Sequence, residues 1–456
     1  MACLGAAGML TGCGSGSDTR VINLYNAPQQ NLQSIVDRCN QKADGKYKIV
    51  LNTLPRDADG QREQMVRRLA AEDSGMDVLG IDVTWTAELA SANWIRPWTG
   101  ERRQEASKGV IDAPLETAMF DDKMYAAPSN TNVQLLWYRD DLLGDKLLKK
   151  VDNGQSLTWK DLIGRAEELK KTGSPQYVEA TGAQYEGLVV LFNSMLAGAN
   201  GKMLNAAGDK VELGAPGVKA LQTLKDFATS AAADPSLSNS QEGEVQHGVE
   251  SGAAFAEVNW PFVYAAMQAT TAKVDDKGKV TDNGGSNMKD HFKWTTPPGI
   301  DGTGHTTLGG SNFAVSKYSE HPDEAFDAAL CLRDPQSQRI SAIRDGLPPT
   351  IESVYHGTQK VLVDSNGSGK LGDTIKVKGK DVPDTKVGMK DAYPMADDIL
   401  KALKDAVLRP KTPIYQNVST VTSYLLSPPS SIDPKATEQQ LKDQLTSALK
   451  SEGVLP

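Results

Sequence analysis

The sequence has no hydrophobic run long enough to cross a membrane and no excess of positive charge. A transmembrane helix needs about 20 consecutive apolar residues, and no stretch beyond the first dozen residues reaches that length. Lysine and arginine number 49 against 58 aspartates and glutamates, which gives a formal net charge of −9. Nucleic-acid binding needs a basic face that neutralises phosphates. These absences argue against an integral membrane protein and predict no nucleic-acid partner.

Residue patterns that perform catalysis or hold a metal are also missing. The five histidines, at positions 247, 291, 305, 321 and 356, have no metal-ligand spacing, and neither His-Glu-x-x-His nor Cys-x-x-Cys occurs. There is no Gly-x-Ser-x-Gly elbow, and residues 367–370 form only part of a phosphate-binding loop. We therefore predict no enzyme activity, no metal and no cofactor. Because a glycosidase needs only two well-placed carboxylates, an exported glycoside hydrolase stays as an alternative.

A distinctive segment at the N-terminus ends in one of only four cysteines. Residues 1–12 are small and apolar, carry no charge, and lead into Cys13 through the sequence Leu-Thr-Gly-Cys. This pattern is typical of a lipobox, although the segment lacks the positively charged start of most signal peptides. We predict a lipoprotein signal peptide at 1–12, lipidation of Cys13, and a flexible glycine- and serine-rich tether at 13–20.

Two cysteines remain once the signal is removed and Cys13 is acylated, namely Cys39 and Cys331. Both lie in stretches with the apolar spacing of a helix. Exported thiols tend to be oxidised, so an even remainder indicates a disulfide between them. Two buried free thiols are the alternative.

Short apolar runs alternate with amphipathic stretches through the first part of the chain. Strands are predicted at 21–25, 47–54 and 77–81, and helices at 31–40, 61–71 and from about residue 86. Strands separated by helices of this length indicate βαβ units, so the predicted fold class is α/β with a largely parallel sheet. In such sheets ligands bind beyond the carboxyl ends of the strands.

Later segments differ in character. Residues 125–139 form a long extended stretch that can leave one lobe and enter another, and residues 308–315 read as a strand with two glycines near its start. Helices are predicted at 158–172, 215–229 and 243–252, and again at 392–408, near 416 and at 437–451.

Several segments, taken in order, resemble the extracellular solute-binding proteins of the maltose-binding type. They are residues 124–139, 243–260, 309–316 and 324–348. Within that family, residues 82–88, 131–139, 257–262 and 408–415 are most similar to the trehalose-binding lipoproteins of actinobacterial ABC sugar importers, whereas residues 276–304 depart from them.

The resemblance implies a periplasmic-binding-protein-like fold, with two α/β lobes joined by crossing hinge segments and the ligand in the cleft. Lobe 1 would comprise residues 21–133 and 308–345, and lobe 2 residues 134–307 and 346–456. The implied function is a monomeric, lipid-anchored protein on the extracytoplasmic face of the membrane that binds trehalose and delivers it to permease subunits. Maltose, a maltooligosaccharide or a glycerophosphodiester are alternative ligands.

Three residues are predicted to contact the sugar from their position and chemistry together. Asp82 ends a strand on the ligand side, where a carboxylate can accept from hydroxyls; a helix N-cap is the alternative. Asn132 lies in the crossing segment and can donate and accept, the alternative being a turn residue at a strand edge. Trp260 can stack on a sugar face, although core packing is the alternative for any single tryptophan.

Four further residues complete the predicted site. The resemblance alone implies ligand contacts for Glu242 and Arg409, since their positions next to helix ends suit their charges without a ligand. Asn26 follows the first strand, and Gly310 would let the backbone approach the ligand closely.

Overall fold

A computed structural model describes residues 19–173, 176–270, 272–276, 278–281, 287–365, 370–377 and 379–452. The predicted signal peptide, the lipidation site Cys13 and most of the predicted tether lie outside these residues. Within the described residues no helix combines the length and apolar content that a membrane span requires.

The strands are β1 (Arg20–Asn26), β2 (Tyr47–Thr53), β3 (Val78–Asp82), β4 (Met119–Phe120), β5 (Lys123–Met124), β6 (Ala126–Val133), β7 (Leu135–Arg139), β8 (Tyr177–Glu179), β9 (Ala254–Asn259), β10 (Lys273–Val274), β11 (Val280–Thr281), β12 (Phe292–Thr295), β13 (Leu308–Val315), β14 (Val361–Val363), β15 (Thr374–Val377), β16 (Lys380–Pro383) and β17 (Thr385–Val387). The α-helices are α1 (Leu32–Ala43), α2 (Ala58–Ala70), α3 (Thr86–Ser91), α4 (Gly100–Ser107), α5 (Asp112–Thr117), α6 (Asp140–Leu143), α7 (Asp145–Asp152), α8 (Trp159–Lys171), α9 (Glu186–Gly198), α10 (Gly214–Ala228), α11 (Glu242–Glu250), α12 (Phe262–Ala269), α13 (Met288–His291), α14 (Pro322–Leu332), α15 (Pro335–Asp345), α16 (Glu352–Tyr355), α17 (Met389–Ala392), α18 (Ala396–Asp405), α19 (Tyr415–Leu426) and α20 (Pro434–Leu449).

Several helix boundaries follow from local capping chemistry. Thr158 caps α8 in a reciprocal capping box with Asp161. Asp334 accepts from the Ser337 N–H, with proline at the first position of α15, and Asp433 caps α20 in the same way. Such signals are readable in the sequence, and the helices predicted at 158–172 and 437–451 agree with the structure to within a few residues.

The first sheet has the strand order β2-β1-β3-β13-β6. Strands β1, β2 and β3 are parallel and connected by α1 and α2, as the alternation of strand and helix predicted. Strand β13 returns from later in the chain and pairs antiparallel with both β3 and β6. The sheet is therefore mixed, and the prediction of parallel pairing holds for its first three strands.

The second sheet has the order β12-β7-β9-β8. Strand β7 pairs antiparallel with β12 and with β9, and β8 pairs parallel with β9. Strands β6 and β7 are separated only by Gln134, so the extended stretch at 125–139 does leave one sheet and enter the other. The buried Gln134 N–H donates to Thr306 Oγ1 at 2.8 Å, which joins this crossing to the segment that returns to β13.

Two apolar cores support the sheets. One core contains the inner residues of the first sheet, α1 and α14, and it continues into α17, α18 and one face of the second sheet. The other core contains α8, α9, α10, α19 and α20 packed against the opposite face of the second sheet. This is the predicted α/β fold with two lobes.

The predicted disulfide between Cys39 and Cys331 is present and joins α1 to α14 across 292 positions of sequence. Both cysteines are buried in the first core, at 0% and 5% exposure. The bond therefore connects the first βαβ unit to the helix that follows β13, which returns from the second sheet.

Candidate ligand-binding site

Asp82 is the last residue of β3, where the parallel part of the first sheet meets the second lobe. Its Oδ1 accepts from the Thr84 N–H at 2.9 Å and from Thr84 Oγ1 at 2.8 Å. The N-cap position of α3 is occupied by Trp85, so Asp82 is not the cap of that helix.

Arg409 bridges two carboxylates on different elements, Asp82 at the end of β3 and Glu186 at the start of α9. Its Nη2 lies 3.1 Å from Asp82 Oδ1, and its Nη1 lies 2.6 Å from Glu186 Oε1. The Arg409 side chain is only 3% exposed. Burial by itself would lower the pKa of Arg409, but the Asp82 and Glu186 carboxylates reverse the effect and raise it. The guanidinium therefore stays charged between the lobes.

Glu186 pairs with Arg409 and accepts two further hydrogen bonds. It begins α9, and its Oε1 also accepts from Tyr415 Oη at 2.6 Å while Oε2 accepts from the Ser419 hydroxyl. Burial raises the pKa of Glu186, and Arg409 together with the two hydroxyls opposes that rise. Sequence reasoning missed Glu186, Tyr415 and Ser419. The one available signal was a carboxylate at the start of an otherwise apolar helix.

Glu242 and Trp260 lie together in the second lobe. Glu242 is the first residue of α11, and Trp260 follows β9 directly. Burial raises the pKa of Glu242, whereas the Tyr185 hydroxyl and the Trp260 indole act in the opposite direction. A carboxyl next to an indole ring suits recognition of a ligand that has both hydroxyls and apolar C–H faces.

The Trp260 ring packs against strands β6 and β13 of the first sheet. A Cβ placed on Gly309 would come within 2.8 Å of Trp260 Cη2 and 3.3 Å of Asn132 Cβ. Gly309 and Asn132 are direct partners in the β13–β6 register. The structure thus brings Trp260 and Asn132 close together. The glycine that permits this contact is Gly309, whereas the sequence analysis had selected its neighbour Gly310.

Two polar atoms of the predicted site residues lack partners in the described part of the chain. They are Asn132 Oδ1 and Arg409 Nε, both buried. Buried polar groups in native proteins are nearly always hydrogen-bonded, so each of these atoms has capacity for a ligand hydroxyl or a water.

Asn26 and Gly310 each have a structural role that does not require a ligand. Asn26 is 2% exposed, its Nδ2 donates to the Ala27 carbonyl at 2.8 Å, and its side chain packs on Gly80. Gly310 has φ +126°, and a Cβ there would lie 2.4 Å from the Asn130 carbonyl oxygen. Pairing between β13 and β6 therefore requires a glycine at 310. A ligand contact at either residue stays a prediction.

A small pocket of about 30 Å³ lies beside the Arg409 bridge. Its walls come from the loop after Asp82, the end of α5, Leu308 and residues 408–411. A volume of this size holds one or two waters, whereas sites for drug-sized ligands are roughly 300 Å³ or larger. A sugar can enter at this position only if the walls move apart.

Comparison with known proteins agrees with this architecture. The family model "Bacterial extracellular solute-binding protein" matches residues 26–339. A "Probable ABC transporter-binding protein" of Deinococcus radiodurans is 26% identical over 339 residues, which cover 70% of this chain and 74% of the relative.

Solved structures of similar fold cover nearly the whole chain. Maltose-bound T. maritima MalE3 has a TM-score of 0.75 at 21% identity, covering 94% of this chain and 99% of that one. The GacH receptor of Streptomyces glaucescens, solved unliganded and with acarbose, has a TM-score of 0.73 at 17% identity, covering 95% and 100%. A solute-binding protein of Thermotoga lettingae bound with α-D-tagatose has a TM-score of 0.72 at 17% identity, covering 94% and 100%.

Two lobes, crossing segments and a polar site between them define a solute-binding protein. The chain belongs to the family of bacterial extracellular solute-binding proteins. This is a family of solute-binding proteins and not of enzymes, so the prediction of no enzyme activity is confirmed. The alternative of an exported glycoside hydrolase is wrong.

Proposed function

We propose that this protein is the lipid-anchored sugar-binding component of an ABC importer, and that it binds trehalose and delivers it to the permease. The observation that carries the proposal is the Arg409 bridge, which joins charged hydrogen-bonding groups of the two proposed lobes. Carboxylates accept from adjacent sugar hydroxyls and a guanidinium donates to them. Trp260 supplies an apolar ring for a sugar face.

The charge of the site supports a neutral ligand. Arg409 is matched by two carboxylates, Asp82 and Glu186, and the other predicted contact with an ionisable side chain, Glu242, is acidic as well. A phosphodiester would meet more negative than positive charge there, which disfavours it. The sugars named for similar structures, maltose and α-D-tagatose, are neutral as well. A neutral disaccharide is therefore favoured over a glycerophosphodiester.

Binding would proceed by closure of the two lobes around the sugar. In this proposal lobe 1 comprises residues 21–133 and 308–345, and lobe 2 residues 134–307 and 346–456. The lobes separate around the contact between Arg409 and Asp82, the sugar enters, and its hydroxyls take over part of that contact. A ligand can favour the closed state only to the extent that it binds that state more tightly.

The anchor is the second part of the proposal. Cys13 would carry the lipid, residues 13–20 would act as the tether, and the monomeric binding protein would stay beside its permease. We expect wild-type protein in the membrane fraction and Cys13→Ala protein outside it, measured by fractionation and by incorporation of labelled palmitate. Equal incorporation in both proteins would contradict lipidation at Cys13.

Calorimetric titration with trehalose, maltose and a glycerophosphodiester tests the ligand. We expect binding of trehalose and a rise in melting temperature, since a ligand at 100 times its dissociation constant stabilises by about 2.7 kcal/mol. Binding of maltose without trehalose would overturn the trehalose assignment and keep the sugar-binding function. Binding of the phosphodiester alone would overturn both.

Trp260→Ala tests the position of the site. Loss of a stacking ring should weaken trehalose binding by about tenfold or more, the equivalent of about 1.4 kcal/mol. The control is Trp294→Ala, because Trp294 is also partly exposed but packs with Trp137 and Tyr264 and donates to Asp398. Equal affinities in the two variants would remove Trp260 from the site.

A further inference from the structure

The two predicted sugar contacts of the second lobe, Glu242 and Trp260, are joined through one buried amide. Asn259, the last residue of β9, is completely buried. Its Oδ1 accepts from the Trp260 N–H at 2.9 Å, and its Nδ2 donates to the Glu242 carbonyl oxygen at 3.1 Å. Because one partner is a donor and the other an acceptor, these two contacts determine which way the amide faces.

The second hydrogen of the amide is accepted by Glu257. Asn259 Nδ2 lies 2.9 Å from Glu257 Oε2, two positions back on the same face of β9. Glu257 is 1% exposed, and its Oε1 has no partner among the described residues. Burial raises the pKa of Glu257 well above its ordinary value, the Asn259 contact opposes this, and Glu250 and Glu179 raise it further.

We propose that Asn259, held in orientation by Glu257, is the positioning residue that sets Trp260 and Glu242 for sugar binding. The proposal rests on the proposed function, since it assumes that these two residues contact the sugar. Neither Asn259 nor Glu257 can touch a ligand in the cleft, because both are buried. Their effect acts through the turn from β9 into Trp260 and through the first turn of α11.

Glu179 offers a matched control for Glu257. It is 4% exposed and lies directly opposite Glu257 in the register of β8 and β9. Its carboxylate has no contact with Asn259 among the hydrogen bonds of the described residues, and it packs toward Gly248 of α11 instead. Replacing either carboxyl removes a buried acid from the same pair of strands, but only one replacement affects the amide.

The test compares Glu257→Leu, Glu257→Gln and Glu179→Leu by trehalose titration. Glu257→Leu leaves one amide hydrogen without an acceptor, and we expect affinity to fall by about tenfold, the loss that corresponds to one buried hydrogen bond. Glu257→Gln keeps an acceptor oxygen of the same shape and should bind like wild type, as should Glu179→Leu. Wild-type affinity in Glu257→Leu, or equal losses in Glu257→Gln and Glu257→Leu, would overturn the proposal.

A second variant and a measurement without sugar make the test independent of any one mutant. Asn259→Asp keeps the acceptor for the Trp260 N–H and removes both donors, so it should lose affinity as Glu257→Leu does. Hydrogen exchange at the Trp260 amide should be faster in Glu257→Leu than in Glu257→Gln or Glu179→Leu, even before sugar is added. Equal exchange in all three overturns the positioning role, whereas absence of sugar binding in the wild type would overturn the proposed function instead.

Discussion

Glu186 is a single carboxylate at the start of an apolar helix, and its three partners explain its place there. A buried carboxylate is costly unless it is paired and hydrogen-bonded. Arg409, Tyr415 and Ser419 provide that compensation from segments more than two hundred positions later in the chain. The residue therefore has a structural role, and it holds Arg409 in the candidate site.

Glu186→Ala should lower the free energy of unfolding by about 3–5 kcal/mol, because it leaves a buried guanidinium with one carboxylate fewer. Urea titration measures this loss. The control is Glu63→Ala, which breaks an exposed ion pair with Arg67 and should change stability by less than about 1 kcal/mol. Equal stability of the two variants would show that the bridge does not contribute.

At the scale of elements, strands β8 and β9 place the buried carboxyls of Glu179 and Glu257 opposite each other. Burial raises the pKa of Glu179 to about 8, and Asp234 adds to the rise. In the unfolded chain a glutamate has a pKa of about 4.3. Between these values the folded protein holds a proton that the unfolded chain has released.

The contribution of Glu179 to the free energy of unfolding should therefore fall as pH rises from about 4.3 to about 8, by at most about 1.4 kcal/mol per pH unit, and then level off. Glu179→Gln has no such proton, so its stability relative to wild type should improve as pH rises across this window. Urea titrations at several pH values measure the difference. A difference independent of pH would contradict a neutral Glu179.

Helices α1 and α14 are joined by the Cys39–Cys331 disulfide. A bond that closes a long loop restricts the unfolded chain, and its removal costs about 2–5 kcal/mol. The double variant Cys39→Ser, Cys331→Ser should lose stability by that amount in urea titrations. Reductant should destabilise the wild type similarly and leave the double variant unchanged; a double variant that still responds to reductant would argue against this bond as the cause.

At the scale of the whole molecule, the proposed closure would bring Trp260 of one proposed lobe against Gly309 of the other. A methyl group there would meet the Trp260 ring at 2.8 Å, so Gly309→Ala should hinder the closed arrangement. We expect trehalose to reduce the radius of gyration of the wild type, measured by small-angle X-ray scattering, and to reduce it less in Gly309→Ala. Gly302→Ala, where no atom lies within 4 Å, should behave as wild type. Equal contraction in all three proteins would show that Gly309 does not limit closure.

Much of the architecture could be predicted from local patterns in the sequence. The strands and helices up to residue 91, the crossing at 125–139 and the strand at 308–315 agree with the structure, because each has its own periodicity or capping residues. The predicted helix at 392–408 is shorter and ends at Asp405. Val407 instead pairs with Thr306 and Leu308, and contacts with this distant segment outweigh local helix propensity.

The sequence by itself determined the α/β class, the extended segments at 125–139 and 308–315, and the pair of cysteines that forms the disulfide. The first two depend on residues near one another in the chain, and the third on a choice among only four cysteines. Only the tertiary structure decided that Arg409 lies between Asp82 and Glu186, that Trp260 packs on Gly309, and that Asn259 joins Trp260 to Glu242. Most of these contacts join segments far apart in the chain. No periodicity encodes such contacts, because they arise only when the two lobes and their crossing segments pack together.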